Sequence, residues 1–183
     1  MESVNTKIKF SYKDYKSLPE SETKRYELVE GELIMVPSPN EYHQRVSGNL
    51  EFILWEFVQK KNLGRNYYAP FDVHLGDNIV QPDILFVFKE RSYVITEEEI
   101  KGAPDLVIEI ISPATAERDR TYKKVFYARY GVREYWIVDP EKKIIEVLTL
   151  KKEGYESFNI YKKIDTLNSS LLPGLNIKLS EVF

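Results

Sequence analysis

Two carboxylates and a lysine stand where they could do chemistry together. The run Leu106-Val107-Ile108-Glu109-Ile110-Ile111 is apolar at both alternations, the pattern of a strand covered on both faces, yet Glu109 interrupts it. A carboxylate there costs on the order of several kcal/mol unless a cation or hydrogen-bond donors meet it. A second apolar run, Gln81-Pro82-Asp83-Ile84-Leu85-Phe86-Val87-Phe88, carries Asp83 at its mouth. Two acids set into hydrophobic strands, with Lys123 just beyond, suit a hard divalent cation, Mg²⁺ or Mn²⁺, which takes oxygen ligands and keeps several waters. The expected ligands are Asp83, Glu109 and the backbone carbonyl of Ile110. A cation held this way activates water and stabilises charge on a phosphoryl oxygen. A nearby ammonium steadies the same charge. The plain alternatives are a strand-end Glu109 turned to solvent and a surface Lys123. That lysine would pair with Asp119 at i,i+4 for a few tenths of a kcal/mol.

The elements that must position these residues follow from periodicity and punctuation. Ser11 caps a short helix that stops before Pro19, and residues 25–36 read as a hairpin about Glu30-Gly31. Between Asn40 and Asn62, the residues Val46, Leu50, Ile53, Leu54, Phe57 and Val58 fall on one helix face. His43 lies a turn earlier on that face, and Gly64 is expected to close the helix. Residues 65–75 and 81–88 read as the arms of an antiparallel hairpin about Gly76-Asp77-Asn78. Residues 90–102 read as a polar surface loop with a helical turn, its Glu97-Glu98-Glu99 triplet a solvated face.

After the Glu109 strand, a helix from about Asp119 to Tyr130, ended by Gly131, aligns Asp119, Lys123 and Tyr127 on one face. The strand 134–139 follows. This unit is expected to be a crossover joining parallel strands, with the first turn of its helix packed back near the end of the Glu109 strand. Residues 143–150 and 155–161 make a closing hairpin. The expected whole is one α/β domain spanning 1–183, with a mixed central sheet flanked by helices.

Bulk composition narrows the class. At 183 residues, with 43% hydrophobic and 30% charged content, the chain suits one folded domain and not a disordered one. No cysteine is present, so disulfides, thiolate chemistry and zinc ribbons are excluded. No apolar run is long enough to cross a bilayer and the first residues lack a basic-then-apolar signal, so no membrane partner is expected and the cytoplasm is the expected compartment. A net charge of −3 counts against a high-affinity, sequence-independent DNA binder, but not against an enzyme with a local basic rim.

Pro82-Asp83, followed by Glu109 in an apolar strand, is similar to the Pro-Asp…(Asp/Glu)-x-Lys pattern of the restriction-endonuclease-like, PD-(D/E)XK nuclease superfamily. More closely, the chain resembles the Uma-two family of bacterial endonucleases. The resemblance runs through residues 26–32, His43, Gln81-Pro82-Asp83-Ile84, residues 107–113, Asp119-Arg120-x-x-Lys123 and residues 127–139. One departure stands out: Ile111 occupies the place where the superfamily has its lysine. In the Uma-two family that lysine sits on the following helix, at the position Lys123 matches.

The resemblance implies a restriction-endonuclease-like core and metal-dependent hydrolysis of DNA. Asp83, Glu109 and Lys123 would be the catalytic residues, Mg²⁺ or Mn²⁺ the cofactor, and Glu27 and His43 further site residues. Asp119 joins them through its face shared with Lys123. Read from the residues alone, Glu27 is equally a surface acid of the hairpin and His43 a histidine at the edge of the core. Arg118, Arg120 and Lys124 surround the helix start and could form a phosphate-contacting rim, with exposed unpartnered bases the plain alternative. DNA is the expected partner and a homodimer the expected assembly. Two readings from other classes stay open: a non-catalytic module that keeps the nuclease fold for interaction or DNA binding, and a phosphoesterase for small substrates.

Overall fold

The computed structural model describes residues 8–19 and 25–183. Local chemistry sets the first elements. Helix α1 (Tyr12–Lys16) begins at Ser11, whose hydroxyl accepts from the Asp14 amide while the Asp14 carboxylate accepts from the Ser11 amide. Strands β1 (Arg25–Val29) and β2 (Glu32–Val36) form the expected hairpin. Helix α2 (Glu41–Lys61) is capped by Asn40, which accepts from the His43 amide at 2.8 Å and so fixes the turn that carries His43. It ends at Asn62, which takes the left-handed conformation, and not at Gly64. Gly64 opens the next strand, where a Cβ would meet the Val87 carbonyl oxygen at 2.1 Å; close backbone approach, not helix capping, requires the glycine.

The expected 65–75 and 81–88 hairpin is corrected. The stretch divides into β3 (Gly64–Tyr68), β4 (Asp72–Leu75), β5 (Asn78–Val80) and β6 (Ile84–Phe88). The hairpin about Gly76-Asp77 joins β4 to β5, whereas β6 pairs with β3 in a different sheet. Pro82 has no N–H to donate to a ladder, and the chain passes from one sheet to the other around it.

The expected loop with a helical turn has its turn as a 3₁₀ helix (Lys89–Val94), but it also holds a strand, β7 (Glu99–Lys101), that was not expected. Glu97 and Glu98 are exposed, but Glu99 is only 2% exposed. It accepts from the Tyr12 hydroxyl and pairs with Lys16 and Lys101, and so docks α1.

Strand β8 (Leu106–Ile110) is buried along its whole length. The helix after it comes in three pieces: α3 (Ala116–Arg118), a π-helical turn (Asp119–Lys123) and α4 (Lys124–Tyr130), stopped by Gly131 at φ 84°. Strand β9 (Glu134–Asp139) then runs parallel to β8, as the crossover reading requires. Strands β10 (Ile144–Lys151), β11 (Gly154–Lys162), β12 (Thr166–Asn168) and β13 (Asn176–Lys178) follow.

The central sheet has the order β11-β10-β9-β8-β6-β3 and is mixed, since only β8 and β9 run parallel. A second sheet, β2-β1-β5-β4-β7, was not foreseen. Alternation along the central strands divides the core in two. Ile84, Phe86, Ile108, Ile110 and Trp136 face Val46, Leu50, Leu54 and Val58 of α2, together with Leu167, Leu172, Leu175 and Ile177. Leu85, Val107, Tyr135 and Ile137 face Phe126 and Tyr127, and meet Val29, Val73 and Val80 of the second sheet.

The Glu134 carboxylate at the start of β9 is fully buried. It accepts from Trp136 Nε1 at 2.8 Å, Ser169 Oγ at 2.6 Å, Ser170 Oγ at 2.7 Å and the Leu171 amide at 3.0 Å, pinning that segment to the sheet. Among the described residues no helix is long and apolar enough to cross a membrane.

Candidate active site

Glu109 alternates with Ile108 and Ile110, so its side chain leaves β8 on the face opposite α2, toward the interrupted helix. There it is met twice. Lys123 Nζ donates to Glu109 Oε1 at 2.8 Å and the Tyr127 hydroxyl donates to the same oxygen at 2.6 Å. Lys123 itself is 6% exposed and also lies 3.5 Å from Glu27 Oε1 and 3.5 Å from Asp119 Oδ1. Glu27, on β1, accepts from the Gln81 amide at 3.1 Å and from Arg118 at 2.6 Å. The second sheet therefore supplies one wall of the site.

Asp83, just before β6, comes in beside the end of β8 because those strands pair with Ile84 opposite Ile108. Its Oδ2 accepts from the Ile110 amide at 2.7 Å and lies 3.4 Å from His43 Nε2. The six residues Glu27, His43, Asp83, Glu109, Asp119 and Lys123, drawn from five separate stretches of chain, line one cleft of about 260 Å³.

The electrostatics follow from burial and from an excess of acids. Burial pushes the Glu109 carboxyl up to about 8; Lys123 opposes the rise, and Asp119, Asp83 and Glu27 add to it. For Lys123, burial works against the charge, but Glu109, Glu27 and Asp119 hold it protonated above the ordinary lysine range. Glu27 stays below the ordinary carboxylate range because Lys123 and Arg118 outweigh its burial. Burial lowers His43, yet its hydrogen bond and attraction to Asp83, with the Ile110 backbone, raise it overall; Arg25 opposes that rise. Burial, then the Glu109 charge, raises the Tyr127 hydroxyl, which therefore remains a donor.

The donor set fits a hard divalent ion. Five acids (Glu27, Asp83, Glu109, Asp119 and Glu141) line the cleft against Arg25, Arg118 and Lys123, with His43 at the edge, so a further cation would relieve like-charge repulsion. Asp83 Oδ1 and Glu109 Oε2 make no hydrogen bond among the described residues, while each partner oxygen is engaged. Among the described residues no three His, Asp or Glu side chains form a ready cage. An ion here would rely on two carboxylates, a backbone carbonyl and water, as Mg²⁺ sites commonly do.

The expected basic rim is only partly assembled. Arg118 lines the cleft but is bound to Glu27. Arg120 pairs with Asp139 at 3.0 Å and Glu146 at 3.4 Å, and neither it nor Lys124 lines the cleft. Successive helical residues point about 100° apart, so Arg120 and Lys124 cannot share the face of Asp119 and Lys123. Sequence reasoning missed Tyr127 as a site residue, although its spacing of four from Lys123 put it on the right face.

An acid at the mouth of one central strand, a second acid within its neighbour, and a lysine that meets the second acid from the next helix define the restriction-endonuclease-like class of nuclease folds. Residues 12–180 match the Uma2 family, described as "Putative restriction endonuclease", and the chain belongs to that family. It is 25% identical over 133 residues to a Synechocystis sp. (strain ATCC 27184 / PCC 6803 / Kazusa) protein named "Uncharacterized protein sll1609", a match covering 69% of this chain and 72% of that one. Among solved structures it is similar to a protein from Anabaena variabilis ATCC 29413, titled a "putative nuclease belonging to DUF820". The TM-score is 0.79 with 23% identity, covering 95% of this chain and 97% of the other, a likeness of fold.

Proposed function

We propose that this protein is a metal-dependent endonuclease that hydrolyses DNA phosphodiester bonds. Asp83 and Glu109 hold Mg²⁺ or Mn²⁺, and Lys123 carries the positive charge at the reacting phosphate. One observation supports this above all: two carboxylates, one within a central strand and one just before its neighbour, each keep an oxygen without a hydrogen-bond partner among the described residues, beside a buried, protonated lysine. When bound, the ion supplies a lowered pKa for water and charge stabilisation at the phosphoryl oxygens.

The remaining work belongs to side chains. Tyr127 and Lys123 fix the rotamer of Glu109, and the Ile110 amide and His43 fix that of Asp83. Glu27 and Asp119 hold the Lys123 ammonium in place, so it meets developing negative charge without reorganising. Arg118 shares the compensation of Glu27, so that carboxylate does not draw on Lys123 alone.

Supercoiled plasmid incubated with the protein and Mn²⁺ tests this reading. Nicking by the wild type is expected, with loss in Asp83→Ala, in Glu109→Ala and in EDTA. Cleavage that survives both substitutions refutes the assignment. The confined cleft and net charge of −3 favour a second reading, a phosphoesterase for small substrates. Metal-dependent hydrolysis of a small phosphodiester, with plasmid left intact, would select it.

A further inference from the structure

The cleft is short of uncommitted positive charge. Lys123 is enclosed by carboxylates, Arg118 is tied to Glu27, and Arg120 and Lys124 lie elsewhere. Arg25 differs. It lines the cleft, is half-buried, and makes no ion pair among the described residues.

Its direction follows from the strand. Arg25 and Glu27 are separated by two in β1, and residues i and i+2 share a face. Glu27 points into the floor of the site, so Arg25 points to the same side, about 6.6 Å further along at ordinary strand rise. Its cross-strand partner Val36, with Pro37, Ser38 and Pro39 after it, lines the cleft too, so this end of the hairpin forms a wall. One pleat along the strand is comparable with the spacing of neighbouring phosphates on a nucleic-acid strand.

We propose that Arg25 is a substrate-binding residue that grips the phosphate adjacent to the one being cleaved. The assignment rests on the nuclease reading and deepens it. A guanidinium presents a planar fork of donors that matches phosphate oxygens two at a time, which an ammonium cannot do. It also offsets the repulsion that the acids lining the cleft exert on an approaching polyanion.

The experiment compares Arg25→Gln, Arg25→Lys and a charge-matched control, Lys178→Gln, whose lysine lies exposed on β13 outside the cleft. Steady-state cleavage of a duplex oligonucleotide with Mn²⁺ is measured beside binding with Ca²⁺ over a salt series. Arg25→Gln is expected to raise KM about tenfold or more, with that rise making up most of the loss in kcat/KM. It should reduce the slope of log affinity against log salt by about 0.9, the share of one phosphate contact. Arg25→Lys should restore the slope but only part of the affinity, and Lys178→Gln should leave both unchanged. If Arg25→Gln keeps KM within twofold and the full slope, the Arg25 assignment is wrong while the nuclease reading stands. If the wild type shows no cleavage that Glu109→Gln abolishes, the nuclease reading fails and the Arg25 assignment fails with it.

Discussion

Replacing Glu109 by glutamine should abolish the chemistry and make the protein more stable in alkaline solution. The carboxyl is 4% exposed, and burial with like-charged neighbours moves it from its ordinary 4.5 to about 8. At about 1.36 kcal/mol per pH unit, ionising it in the folded state costs at most about 5 kcal/mol more than in the unfolded chain. Folding favours the protonated group, so its contribution is fully present below pH 4.5 and is lost as pH rises through about 8. Glutamine cannot ionise, and its amide oxygen can still accept from Lys123 and Tyr127.

Thermal unfolding of both proteins in EDTA at pH 5, 7 and 9 reads the difference. At pH 5 they should melt within about 3 °C of each other. At pH 9 the glutamine variant should melt higher, by up to roughly 10–20 °C for a chain of this size. A simple ion-pair view predicts the reverse, since removing one partner of a buried pair costs about 3–5 kcal/mol. Here Lys123 keeps Glu27 and Asp119, each at 3.5 Å. A glutamine variant less stable than wild type at pH 9 would refute the reasoning.

The proton on Glu109 competes with metal, so Mn²⁺ affinity measured by calorimetry should fall about tenfold per pH unit below about 8; a flat profile from pH 6 to 8 excludes Glu109 as a ligand. Lys123→Met leaves Asp119 without its buried cation and Glu27 with Arg118 alone, and should cost about 3–5 kcal/mol in chemical denaturation. Partial restoration of its melting temperature by Mn²⁺ would show that surplus negative charge is the cause. Glu134→Ala strips the acceptor from four donors and should destabilise by about 3 kcal/mol or more in the same denaturation, with hydrogen exchange rising first at Ser169, Ser170 and Leu171.

That Asp83 and Glu109 would meet partners in the fold was legible because a carboxylate in an apolar run is costly to leave unpaired. Lys123 was legible because helical spacing sets its face, and α2 because six apolar residues keep one period. Sheet membership was not. A local pattern says that residues 81–88 are extended, but not which neighbour accepts them, and Pro82 was read as part of a strand when it divides two sheets. Glu99 resembled its exposed neighbours, because its partners Tyr12 and Lys16 lie more than eighty residues away. Arg25 was invisible for the same reason: an arginine opening a strand looks solvated until the cleft around it is known.

The π-helical turn at Asp119–Lys123 gives the site a genetic fragility that the fold does not share. Such a turn carries one residue more than the regular helix around it requires. An in-frame loss of a single codon there would restore ordinary winding and leave Phe126 and Tyr127 seated in the core. The residues upstream would turn by about 100° relative to them. Asp119 and Lys123 could then no longer both face Glu109. One short deletion would thus part Asp119 from Lys123 and Glu109 while sparing the architecture, so the site can be lost in a single step that the fold survives.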